Sequence, residues 1–391
     1  MTTAPTIWAG AFVVVASAVH LASLIIAARR FRDRDRPVAP PSPAPLITIL
    51  RPVRGIETDL EETLTSGFLL SYPNYEIIFC CADATDPVVP LVERLIAAHP
   101  AIKSRLLIGD DRVSINPKLN NLVKGWDAAA ADWIVMIDSN VLLPPDTLER
   151  LMALWVGDVG LVTSPAFAIR PRTFWAEVEA GFLNTFHARM MLAADSLGHG
   201  FAQGKVLFWR RADLEQAGGI RRLAGEVAED AAATKIVRKS GRRVRLAERP
   251  FAHPLGRRRF SDIWLRQLRW ARLRREAFAG VFALEVLFGG LLPTLVLTPV
   301  LASQGISLAV PLVYLVVWYG IELLMAAYVR WPVSLRSPLA LMVRDLLIPP
   351  LWIAAWLGNE FNWRGNAMAV GERGRPPELA DTSGARSRKA E

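Results

Sequence analysis

Cysteine is nearly absent from this chain of 391 residues. Cys80 and Cys81 are the only two, and they are adjacent, which excludes a disulfide framework and a structural zinc site with spaced ligands. Charged residues make up 21%, too few for a disordered polyelectrolyte, while hydrophobic residues reach 52% and the mean hydropathy is +0.26. No Lys or Arg precedes the first long apolar run, so it does not read as a cleaved secretory signal. No internal repeat is evident. These deficits point to a membrane protein with at least one folded polar domain.

The net charge is +9, and it is unevenly spread. Between Arg242 and Arg275 stand twelve arginines against Glu248 and Asp262, a local excess of +10 that exceeds the whole-chain surplus. A basic block next to apolar segments suits anionic headgroups or a phosphorylated substrate. Nucleic acid is not expected as a partner, because the membrane boundary accounts for the block and no recognition module is apparent.

Ile7 to Ala28 is almost continuously apolar, with His20 its one titratable side chain. At about 1.5 Å rise per residue it can cross a bilayer core of about 30 Å. Arg29, Arg30, Arg32, Arg34 and Arg36 follow, and the positive-inside bias then places the next segment in the cytoplasm. A Pro-rich spacer (residues 31–45) separates this anchor (residues 1–30) from a pattern of short β-rich runs alternating with helical ones.

Strands are expected near Leu46–Leu50, Tyr75–Cys81, Ser104–Ile108 and Trp133–Ile137, with helices near Glu57–Leu70, Pro87–Ala98 and Pro117–Ala131. Such alternation predicts an α/β domain (residues 46–277) around a mainly parallel sheet, whose ligands lie beyond the carboxyl ends of the strands. Membrane helices are expected over residues 278–360, with spans near Val281–Leu301 and Leu308–Tyr328. A third stretch, Leu339–Leu357, is interrupted by Arg344, Asp345, Pro349 and Pro350, and can cross, re-enter or lie on the interface. Residues 361–391 read as a polar, disordered tail.

Three acidic positions stand out. Asp83 follows a strand of β-formers, and Asp138, followed by Ser139 and Asn140, ends a strand too apolar to face water. Asp230, next to Glu229, opens a helix that turns basic at Lys235. Taken singly, each is as readily a cap, a turn residue or an ordinary first-turn acid. Between the first two lies Asn116-Pro117-Lys118-Leu119-Asn120-Asn121, where Pro117 opens a helix and Lys118 is placed to reach a phosphate. Asn120 and Asn121 need partners in an otherwise apolar helix. Finally, Arg266, Arg269 and Arg272 recur every third residue, with Trp270 among them. Guanidinium groups there suit a diphosphate, the indole suits a sugar or the lipid interface, and the outer arginines suit a cytoplasmic membrane edge.

The succession Asp83, Asp138-Ser139, Glu229-Asp230 and Arg266-x-x-Arg269-Trp270 resembles the D, D, D, (Q/R)xxRW pattern of membrane inverting glycosyltransferases. With Asn116-Pro117-Lys118-Leu119-Asn120-Asn121-Leu122 and the anchor, it is most similar to the ceramide glucosyltransferase family, particularly its bacterial members. The resemblance implies a GT-A fold, a UDP-sugar donor and a membrane-lipid hydroxyl such as that of ceramide as acceptor, at the cytoplasmic face of a bacterial inner membrane. It implies that Asp83 contacts the nucleotide base, and that Lys118, Asp138 and Ser139 bind the donor. Asp138 would also meet a divalent cation, Mg²⁺ or Mn²⁺. Asp230 would be the base, and Arg266, Arg269, Trp270 and His187 would meet the diphosphate and acceptor. Asn140 stands where many glycosyltransferases carry a second acid, which leaves a metal dependent on Asp138, phosphate oxygens and water. The rival expectations are a processive polysaccharide synthase, a hopanoid or diacylglycerol glycosyltransferase, and a non-catalytic membrane scaffold.

Overall fold

The computed structural model describes residues 4–32, 36–363 and 366–371. Seven strands form the main sheet in the order β3-β2-β1-β4-β7-β5-β8: β1 (Ile47–Val53), β2 (Tyr75–Cys81), β3 (Ser104–Ile108), β4 (Trp133–Ile137), β5 (Val159–Thr163), β7 (Val206–Arg210) and β8 (Arg243–Leu246). β6 (Ala166–Pro171) pairs with β9 (Phe251–Gly256) in a separate two-stranded sheet. β2 is buried along its whole length, as a parallel strand covered by helices on both faces must be. Its apolar side chains divide between two cores, one holding Ile78 and Cys80 and the other Ile77, Phe79 and Cys81.

β1, β2, β3 and β4 are parallel, as the alternating pattern predicts. β7 departs from that pattern: it runs antiparallel between β4 and β5. Ile137 therefore pairs with Val206, and the start of β7 lies beside the end of β4. This single reversal brings residues 203–205 to the carboxyl edge of the sheet.

On one side of the domain lies a continuous helical rod, Phe174–Ala180, then a π-helical segment Gly181–Ala188, then Arg189–Ser196. Thr173 caps its start, accepting from the Ala176 N–H at 3.3 Å. It packs against the Phe260–Ala277 helix and against the apolar C-terminal helices.

Three described helices are long and apolar enough to cross a membrane: Thr6–Arg29, Ala309–Tyr328 and Ser337–Leu357. The expected span near Val281–Leu301 is instead broken. Ala279–Leu287 and Leu291–Ser303 meet at 50°. The break falls at Gly289-Gly290, where the Gly290 N–H donates to Asp345 Oδ2 at 2.6 Å and a Cβ would approach the Trp318 ring to 2.6 Å. No side chain larger than hydrogen fits there.

The tail expectation is corrected at its start. Glu360–Trp363 and Asn366–Ala369 pair as antiparallel strands β10 and β11, and the Gly371 N–H donates to Glu276 at 2.8 Å. Residues 372–391, which carry most of the expected tail, lie outside the described residues, as do 33–35 of the spacer.

Candidate active site

Asp138 leaves the carboxyl end of β4 and meets two lysines. Lys118 Nζ lies 2.7 Å from Asp138 Oδ1, and Lys205 Nζ lies 3.1 Å from Oδ2. Burial pushes the Asp138 carboxyl up, but the two ammonium groups outweigh it and hold it well below the usual carboxylate range. Asp138 is thus an anion at any physiological pH.

Lys118 projects from the first turn of the Pro117–Ala128 helix. Asn116 caps that turn by accepting from the N–H groups of Lys118 and Leu119, and its amide donates to Glu229 Oε2 at 2.7 Å. Lys118 Nζ also reaches Glu229 Oε1 at 2.7 Å and donates to the Gly204 carbonyl. Burial lowers its pKa, but Asp138 and Glu229 raise it further, so it stays charged. Lys205 is held less firmly. Burial lowers its pKa by more than Asp138 raises it.

Glu229 and Asp230 open the Glu229–Lys239 helix. Asp230 Oδ2 accepts from the Gly204 N–H at 2.7 Å, and Oδ1 accepts from its neighbour Ala231 at 2.8 Å. Burial, and then the adjacent Glu229 carboxylate, push its pKa up to about 6 despite these bonds. A Cβ at Gly204 would fall 2.7 Å from Glu229 Oε1, so a larger residue there would displace that carboxylate from Lys118. Asp138, Lys118, Glu229 and Asp230, scattered over more than a hundred positions of sequence, therefore share one cluster.

The remaining expected residues are arranged around it. Ser139 is buried, and its carbonyl accepts from Arg51 at 3.1 Å and from Thr63 at 2.7 Å. Asp83 lies exposed past the end of β2 and accepts from both the N–H and the hydroxyl of Thr85, each at 2.8 Å. The Thr85 N–H, then its hydroxyl, hold the Asp83 carboxyl below its usual range. Since Val53 pairs with Cys81 and Leu50 with Met136, Asp83 and Asp138 leave the same edge of the sheet, though Asp83 makes no direct contact with the cluster.

Arg266 pairs with the buried Glu179, which also accepts from Arg258 Nε at 3.1 Å. Its charge reaches Lys205 and His253, lowering the pKa of each. Arg269 turns elsewhere, stacking over Trp363 of the C-terminal hairpin at 5.5 Å. Trp270 packs on a cluster of alanines, with the His187 ring 6.2 Å away. Trp270 and His187 thus lie between the Phe260–Ala277 helix and the helical rod that starts at Phe174, and Arg269 faces the C-terminal hairpin.

Lys205 and Arg51 were not singled out from the sequence, and Asn140 was noted there only for the acid it replaces. Lys205 precedes an apolar strand whose reversed direction a βα alternation does not disclose. Arg51 is fully buried within β1 and donates to the carbonyls of Thr63, Asp138, Ser139 and Val141 at 2.9–3.2 Å. A lone Arg inside an otherwise apolar strand was the available clue. Asn140 bridges Lys205 (2.6 Å) and Glu57 (3.0 Å), while its carbonyl meets His253 Nδ1 at 2.9 Å.

Among the described residues no group of three or more His, Cys, Asp or Glu is placed to hold a metal ion. Asp138 alone faces the cluster from the β4 edge, with the Asn140 amide and Glu57 behind. This donor set fits Mg²⁺ or Mn²⁺ only in the form in which one or two carboxylates share the ion with substrate phosphates and water.

An α/β domain with a buried carboxylate–lysine cluster at its sheet edge is thus joined to helices apolar enough to cross a membrane. The pattern of Glycosyl transferase family 21 matches residues 11–375, and the chain belongs to that family. Ceramide glucosyltransferase 3 of Caenorhabditis elegans is 24% identical over 373 residues, spanning 92% of this chain and 80% of that protein. The ceramide glucosyltransferase of Komagataella phaffii is 25% identical over 425 residues, spanning 83% and 82%. Among solved structures, the mannosyltransferase PcManGT from Pyrobaculum calidifontis, in complex with GDP-Man and Mn²⁺, is 20% identical with a TM-score of 0.48, covering 89% of this chain and 98% of that one. Glucosyl-3-phosphoglycerate synthase from Mycobacterium tuberculosis, in complex with Mn²⁺, UDP and glucosyl-3-phosphoglycerate, is 19% identical with a TM-score of 0.36, covering 62% and 80%. The expected α/β domain around a largely parallel sheet, flanked by apolar helices, is the fold observed.

Proposed function

We propose that this protein moves a sugar from a UDP-sugar to the hydroxyl of a membrane lipid, with ceramide the acceptor favoured by its relatives, and with inversion at the anomeric carbon. One observation carries the reading. Asp230, a carboxylate basic enough to take a proton near neutrality, is fixed by Gly204 beside the Lys118–Asp138 pair.

In this reading Asp83 lies near the nucleotide base, and Asp138, with the Ser139 turn behind it, lies on the donor's diphosphate side. Lys118, Lys205 and Arg266 supply fixed positive charge for the departing UDP. Asp230 accepts the proton of the acceptor hydroxyl as its oxygen attacks, and one displacement inverts the anomer. Arg269, Trp270 and His187 serve the acceptor side, at the membrane. A divalent cation held by Asp138 would add charge neutralisation at the diphosphate. Arg29, Arg30 and Arg32 at the end of the anchor favour a cytoplasmic position for the domain on a bacterial inner membrane.

The test is to incubate detergent-purified protein with a panel of UDP-sugars and lipid acceptors, with Mn²⁺ or EDTA, and to weigh the products. A singly glycosylated lipid, its anomer opposite to the donor's, is expected. A ladder of chains would assign a polysaccharide synthase, and no lipid product would remove the acceptor assignment.

A further inference from the structure

The anchor helix (Ala4–Arg29) ends beside the end of the helical rod, and there Ile26, Arg29, Arg30, Ser196 and Leu197 line an open groove of about 340 Å³, far more than a bridging water needs. None of the five belongs to the carboxylate cluster. The groove has two kinds of wall. Arg29 is exposed and Arg30 stands beside it, whereas Ile26 and Leu197 are apolar, and Leu197 is 65% exposed. Ile25 and Leu21 precede Arg29 by four and eight residues, so they share its face of the helix, and they are 50% and 41% exposed. At about 1.5 Å per residue, this apolar row runs about 12 Å from the cationic end toward the middle of the span.

The cationic end is partly built already. Arg30 pairs with the buried Asp195, donates to the Leu246 carbonyl at 2.6 Å and reaches the Ser196 hydroxyl at 3.3 Å, yet its Nε is buried without a hydrogen-bond partner. The Ser196 hydroxyl donates in turn to the Leu192 carbonyl at 2.9 Å. Arg245 lies 3.5 Å from the same Asp195. Arg29, Arg30 and Arg245 thus stand against one carboxylate, an excess of two positive charges at the end of a helix long and apolar enough to cross a membrane.

We propose that this groove binds an anionic phospholipid of the leaflet that faces the folded domain. Arg29 meets the phosphodiester, with Arg30 and the Ser196 hydroxyl behind it, and an acyl chain lies along Ile26, Ile25 and Leu21, covered at its start by Leu197. A soluble anion would use the arginines and leave the apolar wall in water. A zwitterionic lipid would bring a cation of its own to a site that already has a positive surplus. A lipid seated there touches the anchor and the rod at once and so strengthens the hold of the anchor on the domain.

The experiment uses the full chain in a nonionic detergent. Binding of a fluorescent short-chain phosphatidylglycerol is compared with that of phosphatidylcholine bearing the same chains, with inorganic phosphate as competitor. Phosphatidylglycerol should bind more tightly, and Arg29→Gln should weaken it about 5- to 20-fold. Leu197→Ser should weaken both lipids about 3-fold or more by exposing the chain. Arg32→Gln removes the same charge outside the groove and should change little. Arg29, Arg32 and Leu197 are all exposed, so none of these substitutions touches the core. By mass action, phosphatidylglycerol should raise the Tm of the wild-type protein and not that of Arg29→Gln. Equal affinity for the two lipids overturns the proposal, as does an equal loss in Arg29→Gln and Arg32→Gln, which would reduce the attraction to diffuse surface charge. Displacement by millimolar phosphate with Leu197→Ser unaffected would assign a soluble anion and overturn it too. Neither readout involves sugar transfer, so the result is independent of the function proposed above.

Discussion

Glu229 and Asp230 are neighbours in the chain, yet their carboxylates take different partners: Glu229 Oε1 lies 2.7 Å from Lys118 Nζ, whereas Asp230 Oδ2 accepts from the Gly204 backbone at 2.7 Å. One acid is neutralised by a cation and the other is left with only neutral donors, at a raised pKa of about 6. Under the proposed function the pair divides two roles, Glu229 anchoring Lys118 and Asp230 acting as the base.

Asp230→Asn should lower kcat by on the order of 10²- to 10⁴-fold with little change in donor KM. The wild-type rate should rise with pH as Asp230 ionises, with an acid limb near pH 6, and then level off. Because the Glu229 charge is part of what raises that pKa, Glu229→Gln should move the limb to lower pH while raising donor KM through the loosened Lys118. Initial-rate pH profiles of the three proteins check this, and an unchanged limb in Glu229→Gln would separate Asp230 from the titration.

The same shift bears on stability, with its own sign. A carboxyl whose pKa is higher folded than unfolded holds its proton more tightly in the folded state, so its contribution to stability falls as pH rises from about 4 to about 6 and stays lost above. Asp230→Asn removes that penalty. Its Tm should exceed the wild-type value at pH 8, and the gap should close toward pH 4, as thermal unfolding in detergent would show. An inactive variant more stable than its parent is the signature of a site kept under electrostatic stress.

Arg51 holds the turn that presents Asp138. Replacing it with Met leaves the carbonyls of Thr63, Asp138, Ser139 and Val141 without that donor, a loss on the order of 3 kcal/mol, and frees the donor-side turn. Denaturation should locate the stability loss and steady-state kinetics a rise in donor KM. Arg51→Lys keeps the charge but not the planar fork, and should recover only part of either.

Three of the four parallel strands were readable to the residue, Tyr75–Cys81, Ser104–Ile108 and Trp133–Ile137 being apolar runs bounded by turn residues, whereas the first, expected at Leu46–Leu50, runs on through the buried Arg51 to Val53. Asn116, Lys118 and Asp230 were legible because a capped Pro-opened helix and an acid pair carry local signals. Lys205 was not, since its place beside Asp138 depends on β7 running backwards, a choice made by tertiary packing. The π-helical turn at Gly181–Ala188 is likewise set from outside, with Arg344 of a C-terminal helix donating to Thr185 Oγ1 at 2.8 Å. Hydropathy also misled at Val281–Leu301, where two glycines and Asp345 break an apolar run into a bent pair.

Arg344 holds a buried polar junction among the apolar helices. It pairs with Glu322 and lies 2.7 Å from Asp345, which also accepts from Tyr319 at 2.8 Å. Arg344→Met would leave two buried acids without their cation and should cost about 3–5 kcal/mol. Adding Glu322→Gln should restore part of that loss. Thermal unfolding of the single and double variants in detergent gives the coupling, and additive losses would show that the pair is energetically independent.

Ser337–Leu357 has the length and composition of a membrane span, yet its flanks bond to the same side of the protein. Ser334 Oγ, just before it, donates to Glu177 at 2.6 Å, and Arg275 donates to Asn359, just after it, at 2.5 Å. Glu177 and Arg275 both belong to helices of the sugar-transfer domain. A crossing helix of this length would separate its ends by about 30 Å, across the hydrocarbon core. The helix should therefore lie along the membrane face of the domain, with Glu360 on the domain's side of the bilayer and Gln304 on the other. Single-cysteine variants Gln304→Cys and Glu360→Cys, in intact vesicles with the domain inside, distinguish these arrangements through a membrane-impermeant thiol reagent. Gln304→Cys should be labelled from outside and Glu360→Cys only after permeabilisation, the native Cys80 and Cys81 being buried. Labelling of Glu360→Cys in intact vesicles would establish a crossing instead, and would be incompatible with the contacts that Arg272 and Arg275 make with residues 354–360.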